Sequence, residues 1–455
     1  MKRLLTLTVL FLLQAGVTDS AARENRGDAG YRDLQRAGDG EMLTLDEAIR
    51  IGLENNYGIQ IFRNTAEIAS NNRTLGNAGF LPSVAGTGSR SEQVENSRFE
   101  TDISGGETQG ARSANTSAGI ALDWTLFDGM QMFINHERLG EQERLGMDEL
   151  RFRLETTLEQ IISAYVNIIR INEQLNVLSN SVDVTRQRIE IAETKLDLGS
   201  GSEYELLQAR TDLNADRAAV LRERNRLVEA KIILNELIAL QPDQDYEVAS
   251  DIELNRNLTY NELHSRMASG NASLQLARTE HRIARLDVRE IRSERFPEIE
   301  LNSGYSFNRT DGGGGFLRYN EAAGFNIGIT ARINLFDGFN TSRRIQNAKI
   351  NLKNRDLLFE EEKQRVDANF LSAFRTYENS LELVELEENN MEFAEETLDI
   401  ALERFRLGTI SALEFREAQR AYLSAESRLI EAKYDAKVAE TELLRLTGDL
   451  RHIAM

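Results

Sequence analysis

The chain is written twice. Leu126-Phe127-Asp128-Gly129 recurs 209 positions later as Leu335-Phe336-Asp337-Gly338, and Leu198-Gly199-Ser200 recurs at the same offset as Leu407-Gly408-Thr409. Ala209 matches Ala418, and Leu237 matches Leu446. Upstream, Phe80-Leu81-Pro82 answers Arg295-Phe296-Pro297, with the prolines 215 apart. The six extra residues fall in Gly/Ser/Asn-rich sequence of the kind found in loops. A unit of about 210 residues is too long for a solenoid repeat. The fold must therefore be built from two similar halves: repeat 1 over 43–241, an inter-repeat linker over 242–258, repeat 2 over 259–449 and a tail over 450–455.

Each half predicts the same order of elements. A first helix spans about Leu45 to Gly79, and about Tyr260 to Arg295; Thr44 with Glu47 forms a capping-box signature at the first start. Pro82 and Pro297 close these helices. Two extended segments follow, at about 83–95 and 114–127 in repeat 1 and about 298–309 and 322–336 in repeat 2. Asp128-Gly129 and Asp337-Gly338 then turn each strand into a long helix, over 129–198 and 338–407. Helices of about 70 residues reach about 105 Å. Ile161, Tyr165, Ile168, Leu175 and Leu178 recur in them at coiled-coil spacing. The Leu-Gly turns reverse the chain into final helices over 203–240 and 413–447. Only 3 prolines in 455 residues agree with long unbroken elements.

The extended segments alternate with period two. Ile299, Leu301, Tyr305 and Phe307 lie on one face; Glu298, Glu300, Asn302 and Ser306 lie on the other. The partner run sets Phe325, Ile327, Ile329, Ala331, Ile333 and Leu335 against Asn326, Thr330, Arg332 and Asn334. In repeat 1, Ile120, Leu122, Trp124 and Leu126 stand against Asp123 and Thr125. Such runs match outer-membrane barrel strands, apolar toward lipid and polar toward the lumen; a half-buried sheet in a soluble domain is the alternative. Four strands cannot close a transmembrane barrel, and open edges cannot sit in lipid. Cyclic symmetry must complete the wall. Three chains give twelve strands and an open lumen, and two give eight with a filled one. Loops at Gly105-Gly106 and Gly312 to Gly315 then join the strands outside the cell.

The beginning of the chain reads as an export signal. Lys2 and Arg3 precede the apolar run Leu4 to Leu13, and Ser20-Ala21-Ala22 offers a cleavage site. Residues 1–22 form the signal peptide, and 23–42 a polar, flexible leader. No later run approaches a membrane-spanning helix in length. A formal net charge of −20 argues against a nucleic-acid partner. The absence of cysteine excludes disulfide scaffolds, cysteine-ligated metal centres and a cysteine-linked lipid anchor. The four histidines are scattered, and Gly312 to Gly315 is not followed by Lys-Ser/Thr, so it is no phosphate-binding loop. No catalytic constellation, metal site or cofactor is expected.

These paired motifs resemble the TolC family of outer-membrane efflux proteins, over about Leu43 to Asp449. The resemblance implies an α+β membrane protein of two tandem structural repeats. It implies a homotrimer, whose twelve-stranded transmembrane β-barrel, four strands per chain, continues into a long periplasmic α-helical barrel. It implies a passive export duct of a tripartite efflux pump or a type I secretion system. The partners are a periplasmic adaptor (membrane fusion) protein, an inner-membrane transporter of the RND, ABC or MFS type, and outer-membrane lipid. Many members carry a lipidated N-terminal cysteine, which this chain lacks.

The resemblance also nominates residues. Glu414 and Glu417 sit on one helical face after the second Leu-Gly turn, at positions where family acids line the periplasmic entrance. Threefold symmetry makes each a ring favouring cations. By composition alone, a solvated face on a Glu-rich helix is the better account of them, and the resemblance reverses that order. Glu205 matches an acid that helps hold the entrance shut. Phe405 stands where the family has a gating tyrosine and lacks its hydroxyl, and Ile410 replaces a gating arginine, so closure by apolar contacts is the alternative latch. Gly199, Ser200, Gly408 and Thr409 form the expected adaptor-docking tips, although their bland role is only to reverse the chain. A soluble periplasmic coiled-coil adaptor or scaffold is the competing reading. It leaves the apolar strand faces unexplained.

Overall fold

A computed structural model of the chain describes residues 42–101, 104–312 and 319–450. The signal expected over 1–22, the leader expected over 23–42 except Met42, Gly313 to Gly315 of the second outer loop and residues 451–455 of the tail lie outside the described residues. The elements run β1 (Met42–Leu43), α1 (Leu45–Asn55), α2 (Tyr57–Asn72), α3 (Leu75–Ala78), β2 (Ser83–Thr101), β3 (Ser104–Asp128), α4 (Gln131–Asp197) and α5 (Glu203–Ile238). The second half follows with β4 (Glu247–Val248), α6 (Tyr260–Gly270), α7 (Ala272–Ser293), β5 (Glu298–Gly312), β6 (Tyr319–Arg332), α8 (Asn340–Arg406) and α9 (Ala412–Thr447). The two long helices α4 and α8 have 67 residues each, or about 100 Å of helix.

Strands β2, β3, β5 and β6 form one antiparallel sheet in that order, leaving β2 and β6 as open edges. Directly paired residues share a face. Val84, Leu122, Ser303 and Ile327 lie across one face, as do Trp124, Leu301 and Ile329. Nothing among the described residues covers it: Phe325, Ile327 and Ile329 are 67%, 65% and 69% exposed. The other face is polar. Asn302 Nδ2 donates to Asp123 Oδ1 at 2.9 Å, and the Ser89 and Ser117 hydroxyls meet at 2.8 Å.

The sheet departs from the sequence reading in three places. Gly105 and Gly106 are not a loop; they pair with Glu100 and Phe99 inside a longer β2–β3 hairpin. A bulge between Thr125 and Phe127 inserts Leu126, so Phe127 opposes Ile299. Strand β6 stops at Arg332, before Ile333 and Leu335. The chain leaves the ladder there to approach the Asp337-Gly338 turn.

The first helix of each half is not continuous. It breaks at Asn56 and at Asn271, which are 215 apart like the prolines. Each asparagine is buried and caps the next helix, accepting from Ile59 N and from Leu274 N at 3.0 Å. Each also donates Nδ2 to a last-turn carbonyl of its half's return helix, Leu237 O at 2.7 Å and Leu446 O at 3.0 Å. The asparagine satisfies groups of two helices at once, which favours the break over a continuous turn.

The long helices order everything else. Helix α5 packs on α4, α4 on α9 and α9 on α8, giving a four-helix wall. Nearer the sheet, α2 packs on α4, while α7 wedges between α4 and α8. Each repeat has its own mid-helix core. Ile161, Tyr165 and Ile168 of α4 meet Ile49, Leu234 and Ile238 in the first. Phe370, Phe374 and Tyr377 of α8 meet Met267 and Leu443 in the second.

Candidate functional site

The hairpin tips lie at the far end of the long helices from the sheet. Both end α4 and α8 with the same hydrogen bonds. Gly199 N donates to Leu196 O and Ser200 N to Lys195 O; Gly408 N donates to Phe405 O and Thr409 N to Arg404 O, all at 2.9–3.0 Å. This is the paired closure of a Schellman turn, which needs a left-handed residue. Gly199 and Gly408 supply it at φ 73° and 72°. The Ser200 and Thr409 hydroxyls each return to the carbonyl five residues back. Leu198 and Leu407, at the crowns, are 77% and 76% exposed.

The opposite ends of α4 and α8 repeat each other as well. Asp128 Oδ2 accepts from Met132 N at 2.8 Å, and Asp337 Oδ2 from Thr341 N at 2.7 Å. Gly129 and Gly338 have φ 69° and 68°. Met130 and Phe339 follow them into the left-handed region, at 73° and 66°, a costly conformation for residues with a Cβ. Each Asp-Gly pair is thus the device that starts a long helix, directly from β3 in the first repeat and after the four residues that follow β6 in the second.

The acidic candidates separate by environment. Ser411 and Glu414 complete a capping box: Glu414 N donates to Ser411 Oγ at 3.3 Å, and Ser411 N to Glu414 Oε2 at 2.8 Å. The Ser411 backbone and hydroxyl hold the Glu414 carboxyl below its ordinary value. Glu417, one turn on, is exposed, with no ion pair or hydrogen bond among the described residues. Glu205 is half-buried and equally without a partner there. Phe405 is 3% exposed and stacks on Phe415 at 5.1 Å between centroids. Ile410 packs on the same pair.

A family model described as outer membrane efflux protein matches residues 49–240 and 263–449. The chain belongs to that family. It is a passive channel of the outer membrane with a large periplasmic portion, and not an enzyme. It is similar to outer membrane efflux protein BepC of Brucella suis biovar 1, with 21% identity over 406 residues, 89% of this chain and 85% of that protein. It is similar to outer membrane protein TolC of Escherichia coli K12, with 19% identity over 356 residues, 76% of this chain and 71% of that protein. The solved CmeC outer membrane channel of Campylobacter jejuni shares the fold, with a TM-score of 0.73, 15% identity and 89% and 85% of the two chains covered. The adaptor or scaffold reading falls with these findings. Among the described residues no helix is long and apolar enough to cross a membrane; the sheet exposes one apolar face.

The structure adds residues that spacing did not single out. Asp212 is shared between Arg188, on the other arm of its hairpin, and Arg416 of the second hairpin, the latter at 2.7 Å. Gln419 reaches the Thr185 hydroxyl at 3.3 Å, and Thr185 donates to Asp216 at 2.7 Å. Lys195 contacts Phe405 across the two hairpins. All are ordinary charged or polar residues on charged helices, and only their long-range partners distinguish them.

Proposed function

We propose that three copies close head to tail into a continuous barrel, and that the duct is gated at the hairpin tips. The supporting observation is an unfilled contact. Helix α7 packs on both long helices, whereas its counterpart α2 packs on α4 and has no comparable contact with α8 in the described chain. Its outer face instead exposes Tyr57, Ile61, Ile68 and, seven residues on, Leu75 of α3. The far edge of α8 exposes Ile350, Leu357, Leu386, Phe393 and Ile400, with heptad intervals recurring among them. Two different apolar edges on one wall suit a heterologous interface, which gives a ring where its rotation closes. The open β2 and β6 edges are joined by the same operation.

The crowns suit docking of a periplasmic adaptor. Leu198 and Tyr204 on one tip, and Leu407 and Leu413 on the other, expose apolar surface around Gly199, Ser200, Gly408 and Thr409. An inner-membrane transporter of the RND, ABC or MFS type drives the cargo, as a pump or as a type I secretion system. Glu414 and Glu417, exposed at the second tip, form acidic rings in the trimer and favour cations. Glu205, half-buried and unengaged, is available to a neighbouring helix at the gate.

Negative-stain imaging of the detergent-purified protein tests this reading. It predicts a threefold particle with a tube about 100 Å long; monomeric particles would contradict it. Replacing Glu414 and Glu417 together with alanine is expected to weaken cation preference and divalent-cation block in planar bilayers. Unchanged selectivity and block would remove the ring assignment and leave the channel standing.

A further inference from the structure

The two hairpins of one chain meet at an aromatic pair. Phe405 closes α8, Phe415 opens α9, and their rings stack at 5.1 Å with 12° between planes. Phe415 is fully buried. Val184 and Ile191 of α4 pack against this pair from the first hairpin. Lys195, in the last turn of α4, completes the contact. Its Nζ lies 4.1 Å from the centroid of the Phe405 ring and donates to the Phe405 carbonyl at 3.2 Å.

Both groups attract a cation. The ring face carries the negative lobe of the aromatic quadrupole. The carbonyl lies at the negative end of the α8 dipole, and it also accepts Gly408 N in the Schellman closure. Lys195 therefore grips the turn itself. It has no carboxylate partner within 4.0 Å among the described residues, so no other ion pair competes for the charge. Farther from the crowns the hairpins are also tied by Arg416 on Asp212 and by Gln419 on Thr185; Lys195 is the contact that acts on the turn.

We propose that Lys195 is the latch of the periplasmic entrance. It positions the second hairpin's tip against the first through Phe405, and entrance opening requires that contact to part. The proposal rests on the gated-channel reading above.

Planar-bilayer recordings of the purified full-length protein test it, with Lys195→Met, Lys195→Arg, Phe405→Leu and the Lys195→Met/Phe405→Leu pair. Lys195→Met keeps the aliphatic stem and removes the charge. It is expected to raise open probability about fivefold, the size of one partly exposed cation–π contact. Lys195→Arg keeps a cation and N–H donors and restores wild-type gating. Phe405→Leu gives a smaller rise, because the carbonyl remains. The double variant opens by less than the two single effects combined, since part of the ring's hold is exerted through the cation. Wild-type gating in Lys195→Met, or additive effects in the double variant, would overturn the latch while the channel reading stands. A wild-type protein that passes no current would overturn the channel reading and the latch with it.

Discussion

The two hairpin tips share one backbone and differ in what fastens them. Both close with a left-handed glycine, a crown leucine and a serine N-cap. In the first, Arg188 and Asp212 form a buried ion pair that also reaches Arg416. The matching positions of the second repeat are Thr397 and Ala421, which carry no charge. There the fastening is the Phe405–Phe415 stack, at the positions of Leu196 and Leu206 in the first repeat. The serine caps differ as well: Ser411 completes a box with Glu414, whereas Ser202 caps Tyr204 N and leaves Glu205 free. Duplication preserved what the backbone requires and released the side chains, and the released positions are those that bind one hairpin to the other.

That contrast can be broken at several strengths. The largest effect is expected from Asp212→Ala, which strands the buried Arg188 and half-buried Arg416 without a counter-charge. It should cost about 3–5 kcal/mol, read as lost hydrogen-exchange protection in α4 and α5. Ala421→Ser at the matching place should change stability by less than about 0.5 kcal/mol. Similar effects at the two sites would erase the difference between the repeats.

Next come the glycines, where the repeats should agree. Gly199→Val and Gly408→Val each force a Cβ into a left-handed residue, at about 1–2 kcal/mol. An added Cβ meets nothing within 4 Å at either site, so the two penalties should match. Clearly unequal thermal shifts would mean that the turns are not equivalent.

The smallest effect is in the caps. Glu414→Ala should loosen the first-turn amides of α9, while Glu205→Ala leaves those of α5 unchanged. The Glu414 carboxyl is held below its ordinary 4.5. The folded form therefore resists protonation more than the unfolded form does. Its contribution is full above pH 4.5 and is lost as pH falls through the lowered value. Hydrogen exchange of the two first turns should converge in acid. Convergence at neutral pH would contradict the box.

Much of this was legible because it is local. The Leu-Gly turns, the Asp-Gly turns and the strand alternation each follow from a few adjacent residues with one conformational need. What escaped has distant partners. Asn56 and Asn271 read as ordinary helix residues until carbonyls 181 and 175 positions away explain why the helix stops there. Lys195 is one lysine on a charged helix, and its partner is 210 residues on. Leu126 kept the alternation in sequence, yet the bulge removed it from the ladder. Phe405 was read as a gate residue by position. Its burial against Phe415 follows from an aromatic ten residues later, on the other side of the turn.

In the proposed ring of three chains, the duplication predicts where the neighbour touches. Arg282 of α7 meets Glu141 of α4 at 2.7 Å inside the chain. Shifting each by its repeat offset gives Glu67 on α2 and Ile350 on α8. Both are exposed, and the chain has no cysteine to interfere. The direct test is oxidation of the Glu67→Cys/Ile350→Cys double variant in outer membranes, followed by denaturing electrophoresis. The account predicts bands at two and three chain masses and none above. Monomer only, or a ladder running past three, would contradict it.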